Sequence, residues 1–198
     1  MGGTKTPNIN KLQDARPDLV ILDREENPKE VYEALNEAGI ETFVSEVEHP
    51  SAVSDMLIQL GERLNLEAKA NELATSIRQE LEGISQQEGP IVLPMIWHEP
   101  LMAVSPRKYS GALLEACGFR VPDLEPNGNG YPVVSPEQII EHNVEGLLLS
   151  SEPHEFSKQE GEAICDAVEA LGGPRPWTKC IDGEALTSVS YTHLTLPT

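Results

Sequence analysis

The sequence feature that most constrains the fold is one long helical stretch between two halves that each alternate short apolar strands with helices. Residues 67–82 are rich in strong helix formers, whereas a flexible linker would be rich in Gly, Ser or Pro. We therefore expect a stiff helix that holds two lobes at a fixed distance. A cleft between rigidly spaced lobes suits a bound ligand, so a binding protein is the leading hypothesis.

The first half predicts a small parallel sheet with helices around it. Residues 18–22 form an apolar run that is typical of a buried strand, and residues 40–47 predict a second, parallel strand. Three helices accompany these strands: 8–15 with Asn8 or Asn10 as N-cap, 29–38 ending at Gly39, and 52–64 with Val53, Met56, Leu57 and Leu60 on one face. Two strands are too few for a free-standing sheet, so we expect the first lobe to be incomplete.

The second half repeats the alternation of strand and helix. Residues 90–96 and 145–150 predict buried strands, and the segment 121–137 is rich in turn residues. The predicted helices cover 110–116 before Gly118, a segment opened by Ser135-Pro136, and 158–171. The fold class is therefore α/β, with two small lobes that contain parallel sheets and are joined by one long rigid helix.

Composition excludes several classes of partner. The chain carries 33 Asp and Glu against 14 Lys and Arg, a formal net charge of -19. Such a field repels nucleic acid and anionic membranes and favours a basic protein surface as partner. No run of about eighteen apolar residues predicts a membrane-spanning helix, and the first residues lack the apolar core of a signal peptide.

The three cysteines form no metal or redox motif. Cys117 and Cys165 lie among apolar helical neighbours, which predicts small buried thiols. A disulfide that involves Cys180 stays open.

Both ends of the chain suggest a piece of a longer protein. Residues 189–198, VSYTHLTLPT, differ in composition from everything before them and are similar to a transposase sequencing adapter translated in one frame. We expect authentic sequence to end near Thr187 or Ser188; a genuine edge strand is the alternative. The predicted regions are a first lobe at 1–66, a connecting helix at 67–89, a second lobe at 90–188 and a non-native tail at 189–198.

A series of phrases spread over Gly2 to Thr187 carries a family resemblance. These are GGTKTPNINKLQDARPDLVILDREEN, EALNEAGIETFVSEV, the helical stretch, IWHEPLMAVSPRKYSGALLEACGF, VEGLLLSSEPHEF and IDGEALT. In order and spacing the chain resembles the cobalamin- and iron-chelate-binding proteins of ABC importers, the helical-backbone metal receptors. The resemblance implies a corrinoid, haem or ferric chelate held in a cleft between two lobes. It also implies about two more strands before Gly2 and a closing helix after Thr187.

The same resemblance implies a role in transport. The protein would deliver its ligand to an ABC permease, outside the cytoplasm and as a monomer, with no intrinsic cofactor and no catalysis. A cytosolic chelate-binding module and an enzyme that uses such a cofactor are the alternatives. Adjacent pairs such as His98 with Glu99 or His154 with Glu155 would have to serve that enzyme as base and orienting group, and neighbours on a loop rarely point at each other.

The predicted ligand surface lies in loops at the carboxyl ends of the strands, where open parallel sheets bind ligands. Trp97, Pro100, Leu101 and Met102 form an apolar lip beside His98 and Glu99, which suits the flat face of a macrocycle. The alternative is that Trp97 and Met102 complete the core of the second lobe.

Further candidate residues follow from chemistry. His98 and Tyr109 are candidate ligands of a chelated metal, because imidazole and phenolate ligate such irons, and hydrogen bonding within the loop is the alternative. Arg24, Arg107 and Lys108 are candidates to meet ligand carboxylates or amide oxygens, with ordinary surface ion pairs as the alternative.

Acidic residues follow several strand ends at the expected rim. These are Glu25, Glu26, Glu30, Glu152 and Glu155. In the resembled family one glutamate on each lobe docks into a basic pocket of the permease. By position, Glu30 and Glu155 are the predicted docking pair, and solvated surface acids are the alternative.

Overall fold

A computed structural model describes residues 2–84 and 88–186 of the chain. The predicted tail at 189–198 and the expected authentic end near Thr187 or Ser188 lie outside these residues. The elements in chain order are α1 (Ile9–Ala15), β1 (Val20–Asp23), α2 (Lys29–Glu37), β2 (Thr42–Ser45), α3 (Ala52–Leu64), α4 (Glu67–Gly83), β3 (Val92–Trp97), β4 (Met102–Ala103), α5 (Tyr109–Ala116), α6 (Pro136–Glu141), β5 (Gly146–Ser150), α7 (Lys158–Ala170), β6 (Trp177–Ile181) and α8 (Gly183–Leu186).

The chain divides into two compact units. The first comprises Met1–Val47 and Ser51–Arg78, and the second comprises Glu48–Pro50 and Gln79–Thr198. Over the described parts of both units, no helix is long and apolar enough to cross a membrane.

The first unit contains a two-stranded parallel sheet, as the sequence predicts. β1 and β2 pair in register from Val20 opposite Thr42 to Asp23 opposite Ser45. Leu22 packs with Val31 and Leu35 of α2 in a small core. The first strand is less buried than predicted, because Leu22 is buried but Ile21 remains 53% exposed. Helices cover only part of this narrow sheet, so two of its apolar side chains, Ile21 of β1 and Val44 of β2, stay in contact with solvent.

Small residues set the contact between α3 and α4. Gly61 lies so close to Ala70 that a Cβ built on the glycine would be 2.2 Å from the alanine Cβ. The buried Ser54 donates its hydroxyl hydrogen to the carbonyl of Ala74 at 3.1 Å. The buried face of α3 therefore contains Val53, Ser54 and Gly61. The other residues predicted on the apolar face with Val53 are only partly buried: Met56, Leu57 and Leu60.

Helix α4 forms as a continuous helix where the sequence predicts one. Its 17 residues give a length of about 25 Å at 1.5 Å per residue. Ala70 and Ala74 are its buried residues, because both face the small side chains of α3. The first part of the predicted connecting helix, up to Arg78, thus belongs to the first unit.

The second unit is built on a four-stranded sheet in the order β4-β3-β5-β6. β3, β5 and β6 run parallel and β4 is antiparallel to β3. One core joins Leu93 and Leu147 of the sheet to α6 and α7, while Val92 and Leu148 belong to a second core with Leu114 of α5 and Leu186 of α8. Helices therefore cover both faces, which explains the nearly continuous apolar runs of β3 and β5.

Two strands of this sheet are absent from the sequence prediction. β4 has only two residues, and β6 has an exposed pattern that interrupts its apolar residues with Thr178 and Lys179. The indole of Trp177 lies over Gly146, where an added Cβ would be 2.3 Å from the ring. The position of β6 therefore depends on a contact between neighbouring strands, and the hydrophobic periodicity of the sequence does not reveal such a contact.

Local signals fix several of the helix ends. Asn8, one of the two predicted caps, accepts a hydrogen bond from the backbone N–H of Lys11 at 3.0 Å. Gly39 and Gly118 follow their helices with φ of 72° and 91°, a conformation that favours glycine. Ser135 and Ser157 each form a capping box with the residue three positions later.

The cysteines divide into one buried and two exposed thiols, and all three are free. Cys165 is buried as predicted, and its sulfur contacts the carbonyl of Pro176 at 3.3 Å. The prediction that Cys117 is buried is wrong, because it lies at the C-cap of α5, beyond the buried face of that helix. Cys180 lies on the exposed strand β6 and forms no disulfide.

Candidate functional site

Four rings of the second unit form a cluster at the carboxyl ends of β3 and β5. The imidazoles of His98 and His154 stack with centroids 5.7 Å apart and an interplanar angle of 20°. Trp97 meets His154 edge-on at 6.0 Å, and Phe156 meets the same imidazole edge-on at 4.7 Å. We call Trp97, His98, His154 and Phe156 the ring cluster.

The sheet brings these rings together. β3 and β5 are parallel neighbours, paired as far as Met95 opposite Leu149, so the segments that follow them leave the same edge of the sheet. Trp97 ends β3. The loop after β5 turns back on itself, since the backbone N–H of Phe156 donates to the carbonyl of Ser150 at 3.2 Å. Phe156 is buried and forms the base of the cluster.

A carboxylate from α7 contacts the ring cluster. Glu160 is the third residue of that helix, and one of its oxygens, Oε2, accepts hydrogen bonds from the backbone N–H and the hydroxyl of Ser157, both at 2.6 Å. Its other oxygen, Oε1, lies 2.8 Å from Nε2 of His154 and 3.8 Å from Nδ1 of His98. One carboxylate thus closes the helix cap and contacts the imidazole pair.

These bonds determine the charge of Glu160. The hydrogen bonds from Ser157, and then the one from His154, lower the pKa of Glu160 from its ordinary 4.5 to about 2. The group is therefore a carboxylate at neutral pH and can only accept hydrogen bonds. It follows that Nε2 of His154 carries a hydrogen. In the neutral imidazole Nδ1 then keeps its lone pair, and no described residue bonds to that nitrogen.

Trp97 is held at the rim of the second unit. Its indole N–H donates to the carbonyl of Glu99 at 2.9 Å, and the side chain is 42% exposed. The alternative in which Trp97 completes the core does not agree with this exposure. Pro100 follows in the same loop and is exposed.

Met102 lies beside Trp97 but is partly buried. It is the antiparallel partner of Trp97 and forms an isolated bridge with Val133 on its other side. Met102 also lines a cavity of about 660 Å³. The other lining residues are Leu124, Glu125, Asn129, Tyr131, Val133 and Gln138. Met102 therefore contacts both the strand end at Trp97 and this cavity.

The remaining candidate ligand residues, Tyr109 and Arg24, lie in different units of the chain. Tyr109 is the first residue of α5 and is partly buried. Arg24 belongs to the first unit, where it follows β1 and forms an exposed ion pair with Glu46. The ion pair is the alternative that sequence reasoning gave for such a cation.

Arg107 and Lys108 have contacts within the second unit. The guanidinium of Arg107 donates to Asp123 at 2.7 Å and to the carbonyls of Glu125 and Gly128 at 2.7 and 3.0 Å. It therefore braces the turn-rich segment that follows α5. The ammonium of Lys108 lies 5.5 Å from the centre of the Tyr131 ring.

The acidic residues predicted for docking are at the surface. Glu30 is exposed in the first turn of α2, and Glu155 is exposed between His154 and Phe156. Glu25, Glu26 and Glu152 are exposed as well. Their role in docking stays a prediction.

Sequence reasoning identified the loop that begins at Trp97 but missed the partners of that loop. The adjacent pair His154 and Glu155 looked like the available imidazole and carboxylate, whereas the carboxylate that contacts His154 is Glu160. The Ser157-x-x-Glu160 spacing is a visible signal of a capping box. The contact of its second oxygen with an imidazole depends on how the loop after β5 folds. Across residues 2–84 and 88–186, no group of three or more His, Cys, Asp or Glu is arranged to hold a metal ion.

The sequence model of one family, described as periplasmic binding protein, matches residues 1–169 of the chain. The chain belongs to the periplasmic binding protein family. This match confirms the resemblance to the helical-backbone metal receptors. No curated protein matches the chain significantly.

Solved periplasmic binding proteins share its fold. The haem-binding protein HutB of Vibrio cholerae is 18% identical with a TM-score of 0.72, over 98% of this chain and 82% of that one. An ABC transporter substrate-binding protein from Listeria monocytogenes EGD-e is 16% identical, also with a TM-score of 0.72, over 92% and 74%. The vitamin B12 binding protein BtuF of Vibrio cholerae is 20% identical with a TM-score of 0.65, over 88% and 69%. At these identities the comparison shows the α/β fold of two-lobed binding proteins.

Proposed function

We propose that this chain is the substrate-binding component of an ABC importer and that it captures a metal chelate: a corrinoid, haem or a ferric siderophore. Membership of the periplasmic binding protein family supports the role in binding and an extracytoplasmic location. Neighbours named for vitamin B12 and haem binding support the class of ligand. The position of the ligand in a cleft between the lobes stays a prediction.

The observation that carries the proposal is the fixed, half-exposed Trp97 at the carboxyl edge of the second sheet. A hydrogen bond to Glu99 and an edge contact with His154 restrict its rotation, so little conformational entropy remains to be lost on binding. A large, rigid aromatic side chain at a rim offers a flat surface to a flat ligand. Open parallel sheets bind ligands at this edge.

A titration with tryptophan emission as readout tests the proposal. We expect ferric protoporphyrin IX or cyanocobalamin to quench the emission, and Trp97→Ala to weaken binding by about tenfold or more, as loss of an aromatic anchor does. Trp177→Ala is the matched control, because Trp177 is 43% exposed, nearly the same as Trp97. Trp177 packs on Gly146 where β5 and β6 begin, whereas Trp97 lies where the parallel strand β3 ends. Equal affinity of Trp97→Ala and wild type would exclude Trp97 from the site.

We further propose that Glu30 and Glu155 dock the protein onto a basic surface of the permease. Their exposure leaves both carboxylates accessible to a partner, and the strongly negative chain would be attracted to such a surface. Charge reversal, Glu30→Lys or Glu155→Lys, should lower stimulation of the importer's ATPase and leave chelate affinity unchanged. Glu141→Lys, an exposed acid at the end of α6, is the control. The docking role is wrong if both reversals weaken chelate binding to the same extent.

A further inference from the structure

His154 has an orientation that its neighbours fix on several sides. Its Nε2 donates to Glu160 at 2.8 Å, one face stacks on His98, and Phe156 and Trp97 meet it edge-on. About a third of the side chain remains accessible, since its exposure is 30%. In the neutral form of the ring, the lone pair of Nδ1 therefore has a defined direction.

Glu160 is itself held rigidly enough to orient that ring. Its Oε2 accepts two hydrogen bonds from Ser157, which leaves Oε1 directed at His154. A histidine that ligates a metal almost always donates its other ring N–H to a carboxylate, a carbonyl or water, and this partner fixes the tautomer and raises the basicity of the ligating nitrogen. The pair His154 and Glu160 has this arrangement before any ligand is present.

We propose that His154 ligates the metal of the bound chelate through Nδ1, with Glu160 as its positioning residue. This inference rests on the proposed function and selects a residue other than His98 and Tyr109, the two candidates that the sequence suggests. Among the described residues His98 has no equivalent bond to a carboxylate, because its Nδ1 is 3.8 Å from Glu160, beyond hydrogen-bonding distance.

One imidazole supplies one ligand, and this narrows the class of substrate. A metal whose other positions are already filled by a macrocycle keeps an exchangeable axial position for such a ligand. A ferric siderophore that fills all six positions of its iron offers none. The chain should therefore prefer haem or a corrinoid with an exchangeable axial position to a fully saturated ferric chelate.

Visible absorption spectroscopy tests this inference with three probes: ferric protoporphyrin IX, diaquocobinamide and dicyanocobinamide. The wild-type chain should shift the spectrum of the first two to that of a nitrogen-ligated metal. It should bind dicyanocobinamide, whose axial positions hold cyanide, more weakly than the diaquo form. His154→Ala should lose the shift, and added free imidazole should restore it.

Two further variants separate positioning from folding. Glu160→Gln should weaken binding of ferric protoporphyrin by about 10- to 100-fold, the usual effect of removing a partner of a ligating histidine. Glu137→Gln is the matched control, because Glu137 is also an acid in the first turn of a helix, α6, and its side chain accepts a hydrogen bond from the cap residue Ser135. If His154→Ala fails to fold, as judged by circular dichroism, His154→Gln provides the same test with a side chain closer in volume.

The outcomes distinguish this inference from the function on which it rests. A chelate that quenches tryptophan emission shows that the binding function stands. If that chelate gives no nitrogen-ligand spectrum, or gives one that survives in His154→Ala, the role of His154 is overturned. Loss of that spectrum in His98→Ala alone would assign the metal to His98. Failure of every chelate to bind the folded wild-type chain would overturn both proposals.

Discussion

Replacement of Gly61 by alanine tests the close contact between α3 and α4 in the first unit. The new Cβ would lie 2.2 Å from the Cβ of Ala70 and 3.4 Å from the carbonyl oxygen of Leu66. Optimal contacts between carbon atoms are about 3.5 to 4.0 Å, so the two helices would have to separate. Neither Cβ can move by a change of rotamer, because each is bonded directly to its own backbone.

Two opposing effects decide the sign of the change in stability. Alanine is favoured over glycine inside a helix by about 1 kcal/mol. Overpacking of a tight contact costs about 1 to 3 kcal/mol, and a clash between two Cβ atoms belongs near the upper end of that range. We therefore expect Gly61→Ala to lower the free energy of unfolding by about 2 kcal/mol.

Urea denaturation followed by far-UV circular dichroism measures this change, and a double-mutant cycle identifies its cause. Ala70→Gly removes the methyl group that Gly61→Ala would strike, so the double variant should be about 2 to 3 kcal/mol more stable than the sum of the single changes predicts. Gly83→Ala, at the last residue of α4 with open space around it, is the control for helix propensity. Additive effects, or a Gly61→Ala variant as stable as wild type, would refute the described contact.

Two further predictions follow from single groups. Because the pKa of Glu160 is lowered to about 2, its carboxylate stabilises the fold at and above about pH 5, and this contribution is lost as the pH falls towards about 2. In urea denaturation, wild type should therefore lose more stability between these two pH values than Glu160→Gln does. Equal losses would contradict the lowered pKa. The exposed thiol of Cys180 should react rapidly with a thiol reagent, and that of Cys117 more slowly, because desolvation raises the pKa of Cys117. Buried Cys165 should react only after unfolding. Peptide mass spectrometry after brief labelling checks this, and early modification of Cys165 would contradict its burial.

Much of the fold is predictable because its signals are local. Asn8, Gly39 and Gly118 mark helix ends through caps and positive φ, and these depend on a few neighbouring residues. The apolar runs of β3 and β5 reveal buried strands because helices cover both faces of their sheet. The long helix α4 is evident from its composition alone.

The errors arise where tertiary packing decides. The exposure of Ile21 depends on how much of a two-stranded sheet the helices cover, and that of Cys117 depends on where the buried face of α5 ends. Strand β6 carries a polar, exposed pattern that periodicity does not distinguish from a loop.

The candidate site divides in the same way. The loop that begins with Trp97 can be selected from sequence, because it follows a buried strand and combines an aromatic residue with a histidine. The contact between Glu160 and His154 cannot, because it joins a helix cap to a loop through side-chain geometry. An adjacent carboxylate, Glu155, is the more obvious partner in the sequence and is not the one that the fold uses.

We propose that this chain binds a metal chelate and releases it unchanged. The most direct measurement loads the protein separately with ferric protoporphyrin IX and cobinamide, removes free ligand by gel filtration, denatures the complex and identifies the released ligand by mass spectrometry. We expect the folded chain to retain at least one of these chelates and to release it with its mass unaltered. Retention of neither chelate, or recovery of a chemically altered product, would contradict this proposal.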